Sequence, residues 1–263
     1  SLSAATNAVE GSFLVNALNA TEVVKAAEGK KLITTNPTAT SVVYTAENGP
    51  VSTVTIGEGA TAVVLDGTNN TAVPGASFDA TTGTLTLTDS INADIYAANG
   101  KLIVKLDKEN MTDEIVGENL VVAGEVEITG KGTLILSNKN NYNNRIISIE
   151  HTAVAGDIIG MSVTGQASVK SNEGNGNMVL SIGCNVSTGF TQDAAPAEAY
   201  FTVDTEGTVE FTRNGKTVAG FQYGKVQSFN VKKGTVIFTN NDSNANNPLV
   251  YMGCKNDTSW YPT

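Results

Sequence analysis

The feature that most limits what this chain can fold into is the repetition of one short unit. Gly132-Thr-Leu-Ile-Leu-Ser137 leads through the polar stretch 138–144 into Ile146-Ile-Ser-Ile149. Gly165-Gln-Ala-Ser-Val-Lys170 leads through 171–177 into Met178-Val-Leu-Ser-Ile182, and Gly234-Thr-Val-Ile-Phe-Thr239 leads through 240–247 into Leu249-Val-Tyr-Met252. Each copy is a glycine, a short alternating strand, an Asn-rich bend and a second apolar strand. Two copies extend the match, since Ile182-Gly183-Cys184 and Met252-Gly253-Cys254 fall at the same place after the bend. Further glycine-led strands begin at Gly83, Gly100, Gly124 and Gly207, and the separations between successive glycines are 17, 24, 8, 33, 42 and 27 residues. That irregularity excludes a strict hexapeptide helix or a calcium-binding nonapeptide roll and fits a solenoid with loops of varying length.

Within each unit Leu134 and Leu136, or Val236 and Phe238, point to one face and their neighbours to the other. A lone strand pair of this kind cannot bury its apolar face. Coils stacked about 4.8 Å apart do so, because the inward residues merge into one core while each strand pairs above and below. Asn at the bends tolerates left-handed backbone and forms side-chain ladders between coils. The expected fold is therefore all-β, a parallel β-helix (β-solenoid) occupying residues 36–263 as a single domain. The alternative is an antiparallel β-sandwich in which Asn fills exposed turns.

Composition adds the setting. The chain holds 28 Asn, 50 Ser+Thr and 26 Gly, with 6% aromatic and 16% charged residues, which suits turns and solvated sheet surfaces and points to an extracellular or cell-surface protein. The net charge is -10 and only two residues, Arg145 and Arg213, are arginines, so no basic stripe exists for a nucleic-acid backbone. No apolar run reaches the roughly 18 to 20 residues of a membrane span. Ser1 to Asn7 has neither the basic start nor the apolar stretch of a signal peptide.

Residues 1–35 are expected to form an edge strand and a cap. Ser12, Phe13, Leu14 and Val15 supply the strand, and exchanging it between copies would build a fibre. Asn19-Ala-Thr-Glu22 has capping-box form, Val23 to Glu28 continues as a short helix, Gly29 closes it, and Lys31-Leu-Ile-Thr34 begins a strand. This segment resembles the start of right-handed parallel β-helix proteins, whose short amphipathic helix plugs the open end of the coil. The Gly-Thr-apolar-x-apolar strands and Asn-rich loops are similar to those of secreted or surface-attached solenoids, a group that includes adhesins and carbohydrate-binding proteins. The resemblance implies a capped column and an adhesive or glycan-binding role.

Residues able to carry chemistry are sparse. His151 is the single histidine, and no G-x-S-x-G elbow accompanies it, so a catalytic triad finds no support. Glu125 with Glu127, and Asp204 with Glu206, lie two apart on strands and share a face, the pattern a polysaccharide hydrolase or lyase would use and also the pattern of solvated surface charge. No catalytic residue is assigned. Asn240-Asn-Asp242-Ser-Asn-Ala-Asn246 and Asp66-Gly-Thr-Asn69 offer oxygen ligands for a weak calcium site centred on Asp242, and no other metal or cofactor is implied.

Tyr223, Tyr251 and Trp260 stand among polar neighbours and could stack on sugars, while Phe201, Phe211 and Phe238 alternate within strands as core. Cys184 and Cys254 could form a disulfide only if their coils are adjacent, because an intervening coil would part them by about 9.6 Å where Cα atoms must lie about 4.4 to 6.8 Å apart. The expected function is a non-enzymatic structural or adhesive solenoid that self-associates. A carbohydrate-binding module recognising surface glycans is the alternative, and a polysaccharide lyase or hydrolase the third reading.

Overall fold

A computed structural model describes, with side chains, residues 48–137, 145–150, 157–171, 178–183, 198–213, 217–221, 226–241 and 249–252. It adds the backbone of strand segments at 2–3, 12–13, 24–25, 30–34, 42–47, 172–174, 253–256 and 259–262. The described residues are all-β: apart from one 3-10 turn at Gly59–Thr61 they contain no helix, and none long and apolar enough to cross a membrane.

At the start of the chain lie β1 (Leu2–Ser3), β2 (Ser12–Phe13), β3 (Val24–Lys25), β4 (Lys30–Thr34) and β5 (Val42–Asn48). Strands β1 and β3 pair in parallel, and β2, β5 and β4 form an antiparallel sheet. The expected capping helix is thus not present: Val24 and Lys25, in its middle, are extended and pair with Leu2 and Ser3. A capping box marks where a helix can begin, but the Val23-Val24 pair that follows has restricted side-chain rotamers that favour extended backbone. Ser12 and Phe13 are a strand, paired with Val43 and Val42 of their own chain, whereas Leu14 and Val15 lie outside the described residues.

The remaining strands join one mixed sheet of fifteen. Its opening part is β6 (Val54–Ile56), β7 (Val63–Leu65), β8 (Ala76–Asp79) and β9 (Thr84–Leu87). There follow β10 (Ile95–Asp107), β11 (Glu114–Gly117), β12 (Leu120–Leu136), β13 (Arg145–Glu150), β14 (Ile158–Gly174) and β15 (Met178–Ile182). The last five are β16 (Glu198–Arg213), β17 (Ala219–Phe221), β18 (Val226–Asn240), β19 (Val250–Asn256) and β20 (Ser259–Pro262).

Pairing from β10 to β19 is parallel throughout, unlike the antiparallel pairing of a sandwich, and it runs in three ladders. In the first, Ile95, Leu120, Ile147, Leu180, Ala219 and Val250 are successive partners. The second runs through Leu102, Val126, Met161, Phe201 and Phe229, and the third through Ile115, Leu134, Val169, Val209 and Val236. Every residue in these columns except Phe229, Val236 and Val250 is fully buried or within 1% of it, and those three pack against the same core.

The sequence units reappear with one change of register. Gly132 faces Ala167, not the Gly165 that motif alignment sets beside it, while Thr208 faces Thr235, each directly after its glycine. A two-residue offset leaves inward and outward faces unaltered, so the hydrophobic pattern tolerates it. The recurring glycines mark bends where one strand passes close to the next. At Gly124 (φ 132°) and Gly130 (φ 88°) an added Cβ would collide with the carbonyl oxygens of Gly100 and Leu106, and only glycine takes such backbone freely.

Toward the end of the sheet the core becomes aromatic. Phe201 stacks on Phe229 (centroids 5.3 Å apart, planes at 8°) and Phe211 on Phe238 (5.5 Å, 5°), and the two stacks face each other at 6.0 to 6.4 Å. Before β10, Val54, Ile56, Leu65, Phe78, Leu85 and Leu87 cover the core. Among the described residues that end of the core is therefore covered by β6–β9. Because Phe211 is fully buried between two strands and both stacks, Phe211→Ala is expected to lower unfolding free energy by about 3–5 kcal/mol in chemical denaturation.

Candidate functional site

The second ladder carries its polar residues on the face opposite the core. Register sets Lys101, Glu125, Gly160 and Tyr200 in one row and Ile103, Glu127, Ser162 and Thr202 in the next. The carboxylate pair expected on one face, Glu125 and Glu127, is thus brought onto a polar surface with partners from four strands.

Both carboxylates are fully engaged. The Tyr200 hydroxyl donates to Glu125 Oε1 at 2.8 Å, and Asn48 Nδ2 lies 2.6 Å from both Glu125 Oε2 and the Ile158 carbonyl. Glu127 Oε1 accepts from the Thr164 hydroxyl at 2.9 Å, and its Oε2 lies 3.0 Å from Lys101 Nζ. Thr164 is also hydrogen-bonded to the Thr129 hydroxyl at 2.8 Å. Tyr200 reaches Glu125, two strands away, because Gly160 stands between them: a Cβ there would fall 2.5 Å from the Tyr200 ring. Burial first, and the adjacent Glu125 charge second, push the Tyr200 phenol far above its ordinary range, so it remains a donor.

The second pair separates in use. Asp204 is exposed, whereas Glu206 accepts from Gln166 Nε2 at 2.8 Å and pairs with Lys233 Nζ at 2.9 Å. The Gln166 bond first, then Lys233, hold the Glu206 carboxyl below its usual value. A different carboxylate is pushed the other way: burial raises Glu150, against a long 3.4 Å hydrogen bond from Ser148 and the charge of Arg145.

Other expected positions are only partly visible. Tyr251 is half-buried on β19, and Trp260 lies on β20 opposite Lys255, while Tyr223, Tyr142 and His151 lie outside the described residues. Asp242 also lies outside them, and no group of three His, Cys, Asp or Glu able to hold a metal gathers among the described residues. Asp66 serves its own turn, its Oδ1 accepting from Thr68 N (2.9 Å), Thr68 Oγ1 (2.7 Å) and Asn69 N (3.0 Å). Cys184 is outside the described residues. The strands that lead to the two cysteines are nonetheless separated, since Ile182 pairs with Phe221 and Phe221 with Met252.

Sequence reasoning found the carboxylates and missed what holds them. Gly160 interrupts the apolar run Ile158-Ile-Gly-Met161, and a glycine inside a strand marks close approach by another group, which was the available signal. Nothing in the sequence indicates that Asn48, 77 residues before Glu125, arrives there.

Tyr200→Phe is expected to cost about 1–3 kcal/mol in denaturation, since it leaves a carboxylate oxygen without its donor. Gly160→Ala should cost about 1–3 kcal/mol by displacing the ring. For Glu150 the sign follows from a folded-state pKa above the unfolded one: stability is greatest below the unfolded value and is lost as pH rises toward the folded value. Glu150→Gln should therefore match wild type in melting temperature near pH 4 and exceed it near pH 7. With one strand between their approaches, Cys184 and Cys254 are expected to remain thiols, each taking one alkylating adduct by intact-mass measurement without reductant.

Comparison with known proteins finds no matching family model, no matching curated protein and no matching solved structure.

Proposed function

We propose that this chain is a non-enzymatic extracellular or cell-surface module, a β-solenoid of the structural or adhesive kind whose copies join end to end. In this reading the three parallel ladders are the three faces of one column. The shared inward columns and the glycine bends between faces support it. The engaged oxygens of Glu125 and Glu127 support a framework role over acid–base work, because each carboxylate ties neighbouring strands together.

The observation that carries association is β18. It is fifteen residues long, ends the sheet, and pairs only with β16 among the described residues. Val226 (58% exposed), Val231 (48%) and Ile237 (42%) stand in solvent along it. A long edge with apolar side chains is a template for another strand. It carries no acid, and of its two lysines Lys233 is held by Glu206, so the exposed Lys232 is the charge left to meet a further copy of this chain of net charge -10. The N-terminal segment with Ser12, Phe13, Leu14 and Val15, which carries no basic residue through Leu18, is the strand we assign to that edge, its Ser12 and Phe13 leaving Val43 and Val42 of their own chain on exchange.

Negative-stain electron microscopy of the purified chain should show filaments or short end-to-end oligomers. Deleting residues 1–18, or introducing Ile237→Lys, should return it to monomers by light scattering. A wild-type chain that stays monomeric at high concentration would overturn the reading.

A further inference from the structure

The last two strands of the third ladder, β16 and β18, share one sequence plan there. Glu206-Gly-Thr-Val-Glu-Phe-Thr212 and Lys233-Gly-Thr-Val-Ile-Phe-Thr239 each read charge, glycine, hydroxyl, then an alternating strand. From Thr208 with Thr235 to Thr212 with Thr239 they face each other residue for residue. The leading charges meet, Lys233 Nζ lying 2.9 Å from Glu206 Oε1. At Gly207 and Gly234 an added Cβ would strike the carbonyls of Ala167 and Thr205, so each strand needs its glycine. Val209 and Phe211 are fully buried on the inward face, whereas Val236 and Phe238, one step further out, are only half-buried, and Ile237 between them stands in solvent.

The chain carries this unit once more, at its head: Glu10-Gly-Ser-Phe-Leu-Val-Asn16. With Gly11 set beside Gly234 in parallel, Phe13 and Val15 fall on the inward columns next to Val236 and Phe238, and Leu14 falls on the exposed Ile237. Ser12 then meets Thr235 and Asn16 meets Thr239. Glu10 falls beside Lys233, whose ammonium has donors beyond the one given to Glu206, so charge alternates in sign over three strands. The first half of β18 offers no such match. Register with β16 shifts between Val203 and Thr208, which breaks the edge near Lys232, and before the break the outward residues are Ser228 and Asn230, polar where Leu14 needs an apolar neighbour.

We propose that residues 10–16 of one copy are the next strand of another copy's third ladder, docked in parallel on residues 233–239. This docking rests on the end-to-end association proposed above and gives it a register: Leu14 on Ile237 and Glu10 on Lys233.

Strands in register lie about 4.8 Å apart, inside the roughly 4.4 to 6.8 Å between Cα atoms that a disulfide accepts. In full chains with Cys184→Ser and Cys254→Ser, Leu14→Cys mixed with Ile237→Cys should give, on mild oxidation, a disulfide between copies joining positions 14 and 237, read by peptide mass spectrometry. Leu14→Cys mixed with Asn230→Cys should give none. In the otherwise wild-type chain, Glu10→Lys should weaken association about threefold or more at low salt by light scattering on dilution, and Glu28→Lys should not. Oligomers whose position 14 bonds to 230 as readily as to 237, or to neither, overturn the register and leave end-to-end association standing. Unchanged association in Glu10→Lys does the same, and decides alone should the serine-substituted chains fail to fold. A wild-type chain that stays monomeric overturns both.

Discussion

Everything in the described sheet depends on like residues meeting like across parallel ladders. A strand of alternating residues has one apolar face and no means of covering it alone. Placing Leu102, Val126, Met161, Phe201 and Phe229 in one column lets each inward side chain rest on the next pass of the chain. The same pairing satisfies the backbone on both sides of every interior strand. Apolar burial and backbone hydrogen bonding are therefore met by one geometric choice.

The two ends of the sheet solve the remaining problem differently. Before β10, the antiparallel strands β6–β9 place Val54, Leu65, Phe78 and Leu85 over the first inward residues. After β16 the burial thins along β18, although Phe229 and Phe238 still cover the phenylalanines behind them. That asymmetry, one end covered and one edge strand that pairs only with β16 among the described residues, is the physical ground for the assembly reading.

Polar residues follow a similar logic of occupation. Glu125, Glu127 and Glu206 each bond to donors on other strands, so outward charge stitches the ladders laterally. A buried hydroxyl does the same between strands: Thr205 Oγ1 donates to the Ala167 carbonyl at 2.7 Å and accepts from Gly207 N at 3.0 Å. Some buried polar atoms stay without a hydrogen-bond partner, among them Nε of Arg145 and of Arg213, Asn119 Oδ1 and Ser181 Oγ.

How far the chain could be read in advance follows from the range of each interaction. The alternation in Leu134-Ile-Leu136 or Val209-Glu-Phe211 is local, and it determined which residues are strands and which face is apolar. The glycines at 124 and 207 were legible as punctuation, although their reason, a neighbouring carbonyl where a Cβ would sit, lies on another strand. The capping box at 19–22 misled because a local start signal cannot compete with extended pairing elsewhere in the chain. By itself the sequence determined an all-β chain with an alternating core and a same-face pair at Glu125 and Glu127. Only tertiary structure decided the parallel register, the β17 strand between the approaches to the two cysteines, and the reach of Tyr200 over Gly160. Those are contacts between residues tens of positions apart, and no pattern within one strand encodes which strand will lie beside it.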